Sequence, residues 1–295
     1  AQGAMSELRQ RQITDTFYAN LGRINAHHHQ MEQNTEDLAR LGELYHRLYP
    51  SPGRFSVVQL RLSLKQTLAD FPDAYGSAIL YAPGAIGQTA FGMRAYRDAS
   101  EIRTESAGTD FHTRDWYKTI VRDLSEDGSL VRSYHWTSAY YKNDTGNAVI
   151  SLSTLMHSDD GQPLGIAVTD WGTDEVVGLV SRVNITPGTF SFLLDKENRN
   201  LSSLALAENV QLAQRLIESI TSGKLQTLLP EKGPDSTRRQ SASAMQQLKL
   251  TVDGEDYALF FSYTQAGMVF GIGVPQKEID AVLTPMRDSN LRIVA

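Results

Sequence analysis

The sequence predicts an α+β protein: a long N-terminal helix followed by two antiparallel α/β modules in tandem. Three observations carry this. The chain from Ser6 to about Leu48 holds no proline, and its apolar residues recur mostly at steps of three, four or seven, the spacing of one helical face. Beyond residue 73 short apolar segments are separated by turns of a few residues, and strands joined so briefly must run antiparallel. The order of strand, helix, three strands and helix then occurs twice, the second time in shorter form. The expected boundaries are 6–72 for two leading helices, 73–186 for the first module and 187–295 for the smaller second one.

In the first helix the apolar positions are Leu8, Ile13, Phe17, Leu21, Ile24, Met31, Leu38, Leu41, Leu44 and Leu48. About 40 residues at 1.5 Å each give a rod of roughly 60 Å, well beyond the usual 8–20 residues. Such a helix calls for a partner along its length: its own domain over part, a second chain over the rest. Gly22 and Gly42 are its weak points. Pro50-Ser51-Pro52-Gly53 ends it, and a second helix is expected from about Phe55 to Phe71, with Val57, Val58, Leu60, Leu64, Leu68 and Phe71 inward.

After Pro72 the period changes to two. Strands are predicted at 74–82 and 89–97, with Pro83-Gly84 as turn chemistry between them. Residues 98–112 read as irregular chain, and Asp115 to Asp123 as a short helix. Three further strands follow at 129–141, 148–157 and 163–171, linked by the turns Asn143-Asp144-Thr145-Gly146-Asn147 and Ser158-Asp159-Asp160-Gly161. Thr173 or Asp174 can cap a helix running to about Arg182. Past Pro187-Gly188 the reading is a strand at 189–195, a helix over 203–222 and a polar loop from Pro230 to Ala242. Three strands turning at Asp253-Gly254 and Gln265-Ala266-Gly267 follow, then a last helix from Pro275 to about Met286.

Composition narrows the function. Hydrophobic residues make up 41% and charged residues 21% of 295, a globular balance with enough apolar material for a core. The formal net charge of −6 offers no basic excess to displace counterions from phosphates, which argues against a nucleic-acid partner. There are no cysteines, so thiolate zinc, iron–sulfur clusters and disulfides are excluded. Such a chain suits the cytoplasm, and also an extracytoplasmic site where a free thiol would pair astray. No apolar run reaches the length of a membrane span. The opening AQGAM reads as a cloning remnant, and the chain as a piece excised from something longer.

No catalytic signature stands out. A nucleophile–base pair, a Gly-x-Ser-x-Gly elbow and a phosphate cradle are all missing, so no enzyme activity and no cofactor are predicted. His27-His28-His29 looks metallic at first, but successive helical residues point apart, so it reads as solvated surface and no metal site is expected. Asp195-Lys196-Glu197-Asn198-Arg199-Asn200 lacks the glycine of a calcium loop. Arg114, Trp116 and Tyr117 are different. They bring a guanidinium fork, an indole N–H and a phenol together, all able to donate to one carboxylate. Asp170 closes a strand of small and apolar residues, where a carboxylate needs a cation. A ligand ammonium beside Tyr140 or Tyr141 would serve; a helix cap, or a pair with Arg182, would serve as well.

These residues carry a family resemblance. With FGMRAYRD (91–98), TRDWY (113–117), WTSAYYKNDTGNAVISLS (136–153) and GIAVTDW (165–171), the chain from Ser6 onward resembles the double Cache sensor domain. That domain is the extracytoplasmic ligand-binding part of bacterial chemoreceptors and sensor kinases. The resemblance implies a fold of two PAS-like Cache modules, distal and proximal to a membrane. It implies a homodimer through the N-terminal helix, anchored by segments outside this chain and placed on the periplasmic side of an inner membrane. In the amino-acid-binding branch, Arg114, Trp116 and Tyr117 would hold the ligand carboxylate, and Tyr141, with Tyr140 as the other register, and Asp170 its amino group. The chain departs from the branch at Thr109, where an aromatic is usual and Phe111 or Tyr96 could substitute, and at Asn143, where an Asp is common. An amine or a small organic acid therefore stays open as ligand. So does a ligand-free dimerisation domain with Trp116 in its core.

Overall fold

A computed structural model describes residues 2–49, 56–126, 132–141, 148–174, 178, 180, 183–195, 197, 201, 245–252 and 254–281. The fold is α+β, with a long first helix and two antiparallel sheets. The chain divides into two compact units, one of residues 27–173 and 232–239, the other of 1–26, 174–231 and 240–295.

Helix α1 spans Gln2–Leu48. Its buried seam runs Phe17, Ile24, Met31, Leu38 and Tyr45 at steps of seven, beside a second row of Leu21, His28 and Thr35. Leu8 and Leu44, expected on the inner face, lie off this seam and are exposed. His28, expected on the surface, is only 1% exposed. It sits on the seam seven residues after Leu21, and its ring packs 4.9 Å from that of Trp136. Gly42 is no weak point either. It is where the helix approaches the sheet closely enough for the Tyr81 hydroxyl to donate to its carbonyl at 2.5 Å.

Helix α2, Val57–Ala69, opens with a capping box in which Ser56 and Gln59 satisfy each other's backbone N–H. Leu60, Leu64 and Leu68 face inward, whereas Val57 and Val58, placed inward by the sequence reading, are exposed. They fall on the first turn, rotated away from the row at steps of four.

The larger sheet contains β1 (Ala74–Tyr81), β2 (Phe91–Asp98), β3 (Glu101–Ser106), β4 (His135–Trp136), β5 (Tyr140–Tyr141), β6 (Ala148–His157) and β7 (Pro163–Gly172). Its order is β3-β2-β1-β7-β6-β4, with β5 also paired to β6. Two expectations are corrected here. Residues 101–106, read as irregular, form an edge strand paired to β2. Their alternation Glu-Ile-Arg-Thr-Glu-Ser is too polar to stand out, because neither face is deeply buried. The single strand expected at 129–141 is broken, its described part holding only two short pairings with β6. Between them Thr137 bonds through both its N–H and its hydroxyl to the backbone of Ser151.

One face of this sheet meets α1. Thr35 and Thr169 share a 2.6 Å hydroxyl bond there, and Tyr45, Tyr81 and Phe91 cluster their rings. The other face meets α3 (Asp115–Ser125), whose buried Tyr117, Ile120 and Leu124 pack on Leu80, Leu155 and Ile166.

The second sheet has order β8-β11-β10-β9, from β8 (Phe190–Leu194), β9 (Gln246–Val252), β10 (Glu255–Tyr263) and β11 (Val269–Pro275). One face gathers Phe192, Leu194, Leu259, Phe261 and Tyr263 into a core. Phe270 stacks on Phe17 of α1 at 5.2 Å. A short α4, Gln276–Asp280, follows. Most of the helix expected after Thr173, the helix at 203–222, the loop at 230–242 and the end of the last helix lie outside the described residues.

Candidate functional site

Cross-strand register builds the site. Residues directly opposite in antiparallel strands share a face, so the larger sheet lays out two adjacent rows. One row is Tyr96, Gly76, Asp170 and Ser151; the next is Glu105, Arg94, Ala78, Val168 and Ser153. Asp170 and Ser151 of the first row and all of the second form the floor of a cavity of about 650 Å³. Phe111, Trp116 and Ile120 supply its roof, and Thr137 and Tyr140 one flank.

Asp170 anchors one side. The Ser151 hydroxyl donates to Asp170 Oδ1 at 2.6 Å, and Tyr140 Oη lies 2.5 Å from Ser151 Oγ. Because the single Ser151 proton goes to the carboxylate, Tyr140 must be the donor in the second bond. Burial, and then the Asp170 charge, push the Tyr140 hydroxyl well above its ordinary pKa, so it stays protonated as a donor. Gly76 lies opposite Asp170 beside a β-bulge between Ala74 and Gly76, a device that re-aims side chains at sites. A Cβ on Gly76 would stand 3.5 Å from Asp170 Oδ2 and 3.1 Å from the Ala95 carbonyl. Its absence leaves room above the carboxylate.

Arg94 stands on the same floor, two strands away and one row along. At about 4.8 Å per strand the lateral separation is roughly 10 Å. Its guanidinium pairs with Glu105 at 3.1 Å and lies 5.3 Å from the ring centre of Tyr96. A carboxylate with two hydroxyls at one end and a guanidinium at the other can hold a small molecule with both an ammonium and an anionic group.

The predicted residues are placed unevenly. Trp116, Tyr140 and Asp170 line the cavity. Tyr117 is buried in the core under α3, with burial raising its hydroxyl pKa. Arg114 is not among the lining residues. It occupies the N-cap of α3, so the helical face shared with Tyr117 does not extend to it, and its exposed guanidinium lies 3.2 Å from Asp110. Arg114 and Asp170 therefore do not face each other across the hollow as expected. Tyr141 pairs with Ala148 through β5; its side chain, like Arg182 and Asn143, lies outside the described part. Phe111, named as a substitute for the missing aromatic, lines the cavity.

Sequence reasoning missed Arg94, Glu105, Ser151 and Ser153. The period-two alternation of FGMRAYRD would have put Arg94 on one face with Gly92 and Tyr96. The register tying that face to Asp170 is not a local signal. Among the described residues no group of three or more His, Asp or Glu stands where it could hold a metal ion, and no helix is long and apolar enough to cross a membrane.

Residues 60–175 match the family described as methyl-accepting chemotaxis protein-like, first PDC sensor domain. The ligand-binding domain of the Campylobacter jejuni chemoreceptor Tlp3, solved with 4-methylisoleucine, is similar at TM-score 0.60 and 16% identity, over 93% of this chain and 94% of that one. The extracellular domain of the putative histidine kinase soHK1S-Z6 is similar at TM-score 0.60 and 16% identity, over 94% and 98%. The Pseudomonas aeruginosa amino acid chemoreceptor PctC, solved with GABA, is similar at TM-score 0.56 and 14% identity, over 89% and 97%. No curated protein sequence matches. The chain shares the fold of these ligand-binding and extracellular domains.

Proposed function

We propose that the chain is the extracytoplasmic ligand-sensing part of a bacterial membrane receptor, a chemoreceptor or sensor kinase, and that its first module binds an amino acid. One observation carries this: a 650 Å³ cavity whose floor holds Asp170 and Arg94 two strands apart. Asp170, with Tyr140 beside it, takes the ammonium, and Arg94 takes the carboxylate, with the Trp116 indole above. Of the two tyrosine registers, Tyr140 is the one assigned to the ammonium end, because neighbours in a strand point to opposite faces. Arg114, on a long exposed side chain between the lining residues Phe111 and Trp116, is the second cation at the mouth, and Tyr117 sets the seat of the α3 roof. Tlp3, solved with L-valine, and PctC, an amino acid chemoreceptor solved with GABA, support the class. Residues 73–186 are then the membrane-distal module and 187–295 the proximal one. The receptor pairs through α1, which keeps Leu8, Tyr18 and Leu44 exposed, and segments outside this chain anchor it to the inner membrane.

The test is a thermal-shift screen of amino acids, amines and organic acids. A ligand at 100 times its Kd adds about 2.7 kcal/mol of stability. Asp170→Ala should abolish the response and Arg94→Ala weaken it, both with the fold intact by circular dichroism. Absence of any hit, or a hit untouched by both variants, overturns the proposal. A simple amine is the second reading, favoured because both guanidiniums near the site already rest on carboxylates, Arg94 on Glu105 and Arg114 on Asp110. An amine hit that survives Arg94→Ala decides for it.

A further inference from the structure

Ser153 lies on the cavity floor in the row of Arg94, Ala78 and Val168. Its side chain is fully buried, and among the described residues its hydroxyl has no hydrogen-bond partner. The hydroxyls around it are all engaged: Ser151 on Asp170, Thr137 on the Ser151 N–H, Thr154 on the Ser133 carbonyl. An orphaned buried hydroxyl is rare and costly. Its direct cross-strand partners are Val168, which has no polar side-chain atom, and His135, whose ring nitrogen lies 3.5 Å from Asp123.

Its position relative to Asp170 is fixed by register. Ser151 is the direct partner of Asp170, so Ser153 is the diagonal neighbour, about 7–8 Å away between backbone positions. Each hydrogen bond takes up about 3 Å at its own end. Two such bonds meeting the ligand at an angle leave a few Å between its ammonium and the heteroatom that meets the Ser153 hydroxyl, the reach of one or two side-chain carbons.

Resting on the amino-acid reading above, we propose that Ser153 is a specificity-determining residue, and that the preferred ligands are amino acids with a short side chain bearing one hydrogen-bonding group. The apolar wall accepts the carbons and Ser153 accepts the heteroatom. A site with a buried polar group discriminates against analogues that leave it unpaired, whereas a purely apolar wall barely separates isosteres.

The experiment uses isosteric pairs on the intact chain: L-threonine against L-valine, and L-asparagine against L-leucine, by isothermal titration calorimetry. The wild type should prefer the polar member of at least one pair by about tenfold, and Ser153→Ala should bring the two to parity by weakening the polar one. Removing an orphaned hydroxyl should leave the ligand-free midpoint of thermal unfolding unchanged or higher. Equal or stronger binding of valine and leucine by the wild type overturns the inference while leaving the amino-acid reading intact. A ligand-free Ser153→Ala variant that melts several degrees lower assigns the hydroxyl a structural bond and overturns it as well. Binding of none of the four, with no response to any other amino acid, overturns both.

Discussion

Ser151 and Asp170 are direct cross-strand partners, and the hydroxyl of the first donates to the carboxylate of the second at 2.6 Å. The bond aims Asp170 into the cavity and keeps Tyr140, on Ser151 in turn, at its flank. Ser151→Ala removes the donor from one and the acceptor from the other. A bond to a charged group contributes about 1.5–3 kcal/mol, so affinity for an amino-acid ligand should fall about tenfold or more. Titration calorimetry on the variant measures this; an unchanged Kd would show that Asp170 holds its orientation without Ser151.

The two glycines of α1 should respond with opposite sign. Gly22 has open space where a Cβ would stand, whereas a Cβ on Gly42 would meet the Met156 sulfur and Ile79. Gly22→Ala should therefore stabilise by about 0.5–1 kcal/mol, the helix-propensity difference. Gly42→Ala should destabilise by about 1–3 kcal/mol through overpacking. Urea denaturation of both variants gives the two signs directly, and stabilisation by Gly42→Ala would contradict the close approach of helix and sheet.

The contrast between these glycines marks what the sequence could show. The length of α1, the hairpin strands 148–157 and 163–171 and the α3 start at Asp115 were all legible, because turn residues and apolar period signal them locally. The inner seam of α1 was only half legible: His28, Thr35 and Gly42 continue it, and no hydropathy pattern counts a histidine, a threonine or a glycine as core. At the site, Asp170 stood out as a carboxylate in an apolar strand, and Trp116 as an aromatic beside a basic residue. Arg94 did not, since an arginine in a strand with other polar residues looks like solvated surface. Its place on one floor with Asp170 follows from β1 lying between β2 and β7, which is topology. The face shared by Arg114 and Tyr117 was misread for a related reason, as spacing on a helix says nothing once the residue is the cap and not a member.

Glu43 and Arg132 lock α1 to the larger sheet. They pair at 2.8 Å with side chains only 15% and 21% exposed, while the other Glu43 oxygen accepts the His157 N–H and Arg132 also donates to the Leu155 carbonyl. Removing one member strands the other charge in a largely dry place. Glu43→Ala should cost about 2–3 kcal/mol in urea denaturation, far more than Arg40→Ala, whose Glu36 partner forms an exposed pair on the same helix. The double variant Glu43→Ala, Arg132→Ala should recover part of the loss; additive losses would show that the two charges are not coupled.

His28 gives the protein an acid-labile point. Burial, and then the neighbouring His27, lower its pKa from 6.5 to about 3, so it is neutral in the fold and charged in the unfolded chain throughout the interval between. The unfolded state binds the extra proton there, so stability falls as pH drops from about 6.5 towards 3, by at most about 1.4 kcal/mol per pH unit from this group. Above pH 6.5 both states are neutral at this position and the contribution is flat. His28→Phe keeps a ring against Trp136 and removes the proton site. Urea stability measured at pH 7.5, 6.5, 5.5 and 4.5 should therefore decline less steeply for the variant below pH 6.5, with parallel curves above it. Curves parallel over the whole range would mean that His28 takes up its proton in the folded state, and that its contact with Trp136 opens to water.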